Sequence, residues 1–224
     1  MIILKNEHCS FSLHFNYLAM SIAERKAREK EELKVKILKA SMKLFVEKGI
    51  EQTTIRNIAN AIDYSIGTVY VYFKDKNAIL HALHTQCFSE LGGQVRALYN
   101  IKDPMERLQA MGNVYIKYAM DNPDKYDLMF NLKAPMEFLN DIQAKEWDEG
   151  AAAFDVLRTT VQESIVAGHF QGHNLEPLSY MIWGCLHGMC SLEIRERTKG
   201  VHLKNPDTIV SEAYKEFLLF LEKT

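Results

Sequence analysis

Residues 53–76 read TTIRNIANAIDYSIGTVYVYFKDK, and this stretch decides the fold. Thr53-Thr54 offers a helix N-cap, because a threonine hydroxyl takes up an amide that the first helical turn leaves unpaired. Ile55, Ile58, Ala59 and Ile62 follow at helical spacing and make a short apolar stripe. Asp63-Tyr64 breaks it, aspartate being a side chain that tolerates a left-handed or turn conformation. Ser65 is the next N-cap, and a further short helix runs to about Tyr72. Two short helices joined by a tight turn describe a helix-turn-helix unit. Its halves must pack through apolar residues, here Ile58 and Ile62 against Val69 and Phe73. Its second helix must expose small polar and aromatic side chains able to enter a major groove about 12 Å wide. Ser65, Gly67, Thr68 and Tyr70 meet that description, and Gly67 lets backbone approach a duplex closely.

Upstream, Ile37, Leu38, Ser41, Leu44 and Phe45 fall on one face of a helix over Glu29–Lys48, which Gly49 stops. Downstream, Lys74-Asp75 ends the third helix. A long helix then spans Lys76 to about Tyr99, with a bend expected at Gly92-Gly93. Further helices are expected at about 104–121, 123–131, 144–168, 175–198 and 206–223, with loops at 132–143 and 168–174. Pro104, Pro123, Pro177 and Pro206 fall at or near first turns, where proline is tolerated. No hairpin signal, internal repeat or low-complexity tract is present. The expectation is an all-α chain with a three-helix DNA-binding domain over 20–75 and a helical domain over 76–224. Residues 1–19 stand apart, because Met20 begins MSIAERKAREKEEL, a basic arm leading into a helix. They read equally as an upstream start or as a real extension.

Composition narrows the class. The chain has 224 residues, 47% hydrophobic and 25% charged, too apolar for disorder. No apolar run approaches the ~20 residues of a membrane span. The longest, Tyr180 to Leu192, carries His187 and reads as a buried core helix. Cys9, Cys87, Cys185 and Cys190 are too few for a disulfide scaffold, so a reduced, cytoplasmic compartment is expected. The opening MIILKNEHCS lacks the apolar core of a secretory signal. The net charge of −2 hides an asymmetry: residues 20–85 carry +4 and residues 86–224 carry −6. A basic first third on an acidic body fits a polyanionic partner, and it also fits ordinary surface variation.

Thr53-Thr54-Ile-Arg56-Asn-Ile-Ala59 followed by Ser65-Ile-Gly67-Thr68-Val-Tyr70-Val-Tyr72-Phe73-Lys74-Asp-Lys76 closely resembles the N-terminal domain of TetR/AcrR-family transcriptional regulators, over Lys34 to Leu83. Trp183-Gly-Cys-Leu-His187-Gly188 resembles the Trp-His-Gly signature of one C-terminal class of that family. Asn122-Pro123-Asp-Lys-Tyr126-Asp-Leu128-Met-Phe130 is similar to its sixth helix. The resemblance implies that Thr54 contacts a phosphate at a helix N-terminus, and that Tyr72, Lys74 and Lys76 hold the opposite backbone. It also implies that Ser65, Ile66, Gly67, Thr68 and Tyr70 face base edges, with Arg56 reaching bases or phosphate. Two departures stand out: Ile62-Asp63 occupies the turn where the family usually has Ala-Gly, and Ile66 replaces a residue that is often polar or basic.

The same resemblance implies a homodimer, a small-molecule effector and a pseudo-palindromic double-stranded operator with half-sites about 34–36 Å apart. Leu178, Met181, Ile182, Cys185 and Met189, with Val210, Phe217 and Leu221, lie on two wide helical stripes suited to a four-helix interface or to a subunit core. Met111, Tyr115, Tyr118, Met129, Phe130, Trp147, Phe154 and His187 supply an apolar lining with a few polar tips, suited to a mostly hydrophobic ligand. The Gly92-Gly93 helix would carry the ligand's signal. Cys185, His187 and Cys190 resemble a metal cluster only in print: on a helix, His187 lies about 200° and Cys190 about 140° around from Cys185. No phosphate-cradling glycine loop, nucleophile elbow, HExxH or convergent acid–base pair occurs, so neither enzyme activity nor a cofactor is expected. The leading expectation is a ligand-released repressor. The alternative is a helical adaptor of the same fold acting through protein contacts, against which the set Thr54, Tyr72, Lys74 and Lys76 argues.

Overall fold

The first helix can stop where it does because Gly49 adopts φ 82°, the left-handed conformation that glycine takes without a Cβ penalty. A computed structural model describes residues 22–131 and 148–222; among these every regular element is helical. The chain divides into two compact units, residues 1–76 and 77–224.

In the first unit, α1 spans Ile22–Lys48, α2 Ile55–Ala61 and α3 Ile66–Tyr72. α1 begins seven residues before the Glu29 start expected from periodicity. Its added turns are exposed and carry the i,i+4 pairs Arg25–Glu29 and Arg28–Glu32 instead of an apolar stripe. The core is Ile37, Leu44 and Phe45 of α1 with Ile58, Ala59, Ile62, Val69 and Phe73, all buried. Each large aliphatic side chain buried in this way contributes roughly 1.5–3 kcal/mol. Thr53 is also buried and closes α1, its hydroxyl donating to the Gly49 carbonyl at 2.8 Å or the Leu44 carbonyl at 3.2 Å.

In the second unit, α4 runs Lys76–Arg96, its first residue closing the first unit, and a 3-10 turn follows at Ala97–Asn100. α5 spans Pro104–Asp121, with Asp103 as N-cap accepting from the Glu106 amide at 2.8 Å. α6, Pro123–Tyr126, passes directly into a π turn at Asp127–Asn131. α7 spans Asp148–Val166, α8 Leu175–Ile194 and α9 Ile209–Leu221, the last preceded by a 3-10 turn at Pro206–Thr208. α4 runs unbroken through Gly92-Gly93, and Gly92 is buried. α5, α7, α8 and α9 share a core built on Leu108, Val161, Phe170, Ile182, Leu186 and Tyr214. Arg107, the next residue to Leu108 and also buried, pairs with Glu163, donates to the Ile101 carbonyl at 3.1 Å and lies over the Tyr99 ring.

α5 and α9 come together at Gly112. A Cβ built there would stand only 2.8 Å from Tyr214 Cε2, and the Tyr214 hydroxyl donates to the Gln109 carbonyl at 2.8 Å. The absence of a side chain is therefore what seats α9 on α5.

Candidate nucleic-acid interface and ligand cavity

In the first unit the turn between α2 and α3 is held by its own chain. Asp63 takes φ 60°, so aspartate does fill a left-handed position. Lys36 Nζ donates to the Ile62 carbonyl at 3.0 Å and sits 5.1 Å above the Tyr64 ring. Ser65 caps α3, accepting from the Thr68 amide at 3.0 Å, and the Ser65 and Thr68 hydroxyls bond each other at 2.8 Å. With Val69 fully buried, residues on the far side of α3 must face outward. Tyr70 is 54% exposed and Val71 75% exposed, while Gly67 is exposed and Ile66 and Thr68 are half-buried. Arg56 and Lys74 are exposed, and Tyr72 is half-buried.

Two expected phosphate contacts are otherwise engaged. Thr54 forms a capping box with Asn57: its amide donates to Asn57 Oδ1 at 3.0 Å, its hydroxyl donates there at 2.8 Å, and the Asn57 amide returns at 3.2 Å. Lys76 Nζ donates to the Ile50 carbonyl at 2.7 Å, tying the start of α4 to the turn after α1. Val71, not singled out from the sequence, is exposed because it stands about 200° around the helix from Val69, which takes the inner face.

The second unit contains a cavity of about 520 Å³ walled by α4, α5, α7, α8, α9 and the π turn. Met111, Tyr115, Phe130 and Phe154 line it as expected from sequence. Tyr118 does not; it is buried elsewhere, its hydroxyl donating to the Cys87 carbonyl at 3.2 Å. Met129 is buried away from the wall, and Trp147 lies outside the described residues. Unanticipated lining comes from Phe88, Val95 and Arg96 of α4, Trp183 of α8, and Phe217 and Leu218 of α9.

His187 stands behind the wall. Its Nδ1 is hydrogen-bonded to the Tyr126 hydroxyl at 2.8 Å, while the Tyr115 hydroxyl lies 3.1 Å from that of Tyr126 and 3.3 Å from Nδ1. Burial lowers the His187 pKa and keeps the ring neutral. On the other side of the ring, Nε2 lies 3.3 Å from Ser191 Oγ. Burial likewise raises the Tyr115 and Tyr126 hydroxyls, which remain protonated donors at neutral pH. Tyr126 and His187 are stacked, and Phe130 meets His187 edge-on.

The stripe expected at a subunit interface is split by the fold. Leu178, Ile182 and Leu221 are buried in the subunit's own core, and Met189 and Phe217 pack partly against it. Val210 and Cys185 are half-buried, and Met181 is exposed. α8 is apolar on more than one side, so periodicity could not say which side the subunit itself covers. The outward side carries Tyr180, 66% exposed, with Met181 and Leu192, and α9 adds Leu219 and Phe220. Gly184 and Gly188 on α8 meet open space. Among the described residues no group of His, Cys, Asp and Glu could hold a metal ion, and no helix is long and apolar enough to cross a membrane.

A capped helix-turn-helix lies in one unit, and an apolar cavity lies among the described helices of the second. Residues 37–83 match the family described as bacterial regulatory proteins, tetR family, and residues 108–217 match the tetracyclin repressor-like C-terminal domain. The chain belongs to the TetR family, a family of transcriptional regulators and not of enzymes. It is 26% identical over 95 residues to the HTH-type transcriptional regulator AcrR of Shigella flexneri, covering 42% of this chain and 44% of that protein. It is 35% identical over 74 residues to the HTH-type transcriptional regulator YerO of Bacillus subtilis, covering 33% of this chain and 25% of that protein. The chain thus spans less than half the length of the curated relatives it matches. The fold is that of the fatty acid degradation regulator FadR from Bacillus halodurans, with a TM-score of 0.65 at 20% identity over 83% of this chain and 94% of that one. It is shared by the superantigen PfiT, with a TM-score of 0.67 at 22% identity over 85% and 96% of the two chains.

Proposed function

We propose that the protein is a homodimeric, sequence-specific transcriptional repressor, released from a pseudo-palindromic operator when a mostly apolar small molecule fills the cavity. The observation that carries the DNA-binding part is α3. It is capped by Ser65, anchored by buried Val69, and presents Gly67, Tyr70 and Val71 outward from a unit of basic balance. In this reading Tyr70, Val71, Ile66 and Thr68 meet base edges, where Val71 and Ile66 suit thymine methyl groups. Arg56, Tyr72 and Lys74 meet phosphates and set the register. Thr54 and Lys76 act indirectly, holding α2 and the start of α4.

Dimerisation is supported by the outward apolar side of α8 and α9, with Gly184 and Gly188 leaving room for a partner helix. The ligand response is supported by a 520 Å³ cavity inside the range typical of small-molecule sites. α4 lines that cavity and is covalently continuous with the DNA-binding unit, so it is the element on which ligand and operator would compete. Sedimentation of the protein with a selected duplex tests the assembly. Two chains per duplex are expected, and a single chain per duplex, or a monomer at micromolar concentration, overturns it.

A further inference from the structure

Among the described residues Arg96 is the one charged side chain in the wall of the cavity, whose remaining lining is apolar apart from Ser89, Tyr115 and Tyr214. An arginine in the last turn of α4 has an ordinary explanation, since cations suit helix C-termini. Two further observations go beyond it. The first is Gly92, one turn earlier and buried: a Cβ there would stand 3.3 Å from a terminal nitrogen of Arg96 and 3.8 Å from its guanidinium carbon. The guanidinium therefore lies folded back across the helix surface, in space that a larger residue at position 92 would contest. The second is that Arg96 has no hydrogen-bond or ion-pair partner among the described residues, whereas Arg107, Arg158 and Arg195 of the same unit are paired with carboxylates.

We infer that the cavity takes an amphiphilic anion: an apolar body inside, with a carboxylate or comparable acid group meeting the Arg96 guanidinium. The inference rests on the reading of the cavity as the effector site. A guanidinium matches a carboxylate with two parallel N–H donors, so the acid group gains orientation as well as charge. The size also constrains the ligand. At about 30 Å³ per non-hydrogen atom, the volume of a liquid water, the cavity of about 520 Å³ corresponds to roughly 17 such atoms. A medium-length straight-chain or compact aromatic acid is of that size. Elsewhere in the wall, Tyr115, which is hydrogen-bonded to Tyr126 and His187, offers a polar contact for a hydroxyl or carbonyl on the ligand body.

The test uses the full chain with dodecanoate and dodecanol, which differ only in the head group. Each competes with the neutral fluorophore N-phenyl-1-naphthylamine. Wild type is expected to bind dodecanoate about three- to tenfold more tightly than dodecanol, the modest end of a charge-assisted bond because Arg96 is solvent-exposed. Arg96→Gln should abolish that ratio while leaving dodecanol unchanged. Gly92→Ala, which favours the helix and so keeps the fold, should shrink the ratio by displacing the guanidinium. Equal binding of the two ligands to wild type, or equal losses for both in Arg96→Gln, overturns the acid preference while leaving the cavity reading intact. Absence of any fluorophore or ligand binding instead removes the cavity reading itself.

Discussion

Gly112→Ala offers the sharpest test of the second unit's packing. In a free helix the change gains about 0.8–1 kcal/mol, because alanine is the better helix former. Here the new methyl would overlap the Tyr214 ring and hydroxyl. Forcing α5 and α9 apart costs about 1–3 kcal/mol, as overpacked cores do. Displacing the Tyr214 hydroxyl from the Gln109 carbonyl costs about 1 kcal/mol more. The net expectation is a loss of about 1–3 kcal/mol. Tyr214→Leu removes the overlapping atoms while keeping an apolar stem in the core. In that background Gly112→Ala should become neutral or stabilising, an interaction energy of about 1–4 kcal/mol across the cycle. Urea unfolding followed by circular dichroism, at one fixed protein concentration, measures all four proteins. Gly112→Ala as stable as wild type, or equally costly in both backgrounds, would refute the close approach of α5 and α9.

Three further outcomes are expected. In the DNA-binding unit, Tyr70→Ala should erode discrimination between specific and random duplexes, while Lys74→Ala should weaken both and lower the salt slope by about 1; equal losses from both variants would contradict this division of roles. Asp63→Val should cost about 1–2 kcal/mol because a β-branched side chain resists φ 60°, whereas Asp63→Gly should be neutral or mildly stabilising; thermal melts that order the three the other way remove the strain argument. His187 is kept neutral by burial, so its folded pKa lies below the unfolded value near 6.5. As pH falls through about 6.5 the unfolded chain binds a proton that the folded chain excludes. Stability should therefore drop toward acid pH and level off only below the folded pKa. His187→Gln should remove that slope, and parallel stability curves for the two proteins would sink the assignment.

Most of the architecture was legible because helical periodicity and capping act locally. Ser65, Gly49 and Pro104 mark element ends through their own backbone chemistry, and the structure has helix boundaries beside each of them. What the sequence could not show was where donors and faces are spent. Thr54 and Lys76 look free in print, but their hydrogen bonds close a capping box and a turn. Apolar residues surround α8, so the choice between Ile182 inside and Tyr180 outside depended on which neighbours arrive from α5 and α7. Gly92-Gly93 suggested a bend because glycine weakens helices, and nothing in the sequence showed that Gly92 leaves space for the Arg96 guanidinium. Arg96 itself carried no sequence signal, since nothing local links it to residues more than a hundred positions away.

The central claim is that α3 reads DNA sequence as one of a symmetric pair. Selection from a random duplex library, run in parallel with wild type and Tyr70→Ala, tests it most directly. Wild type should return one short inverted repeat whose half-sites lie about 34–36 Å apart, one helical turn or a multiple of it, with the variant returning a degraded motif. Enrichment of no repeat by wild type, or of the same repeat with undiminished strength by Tyr70→Ala, would contradict it.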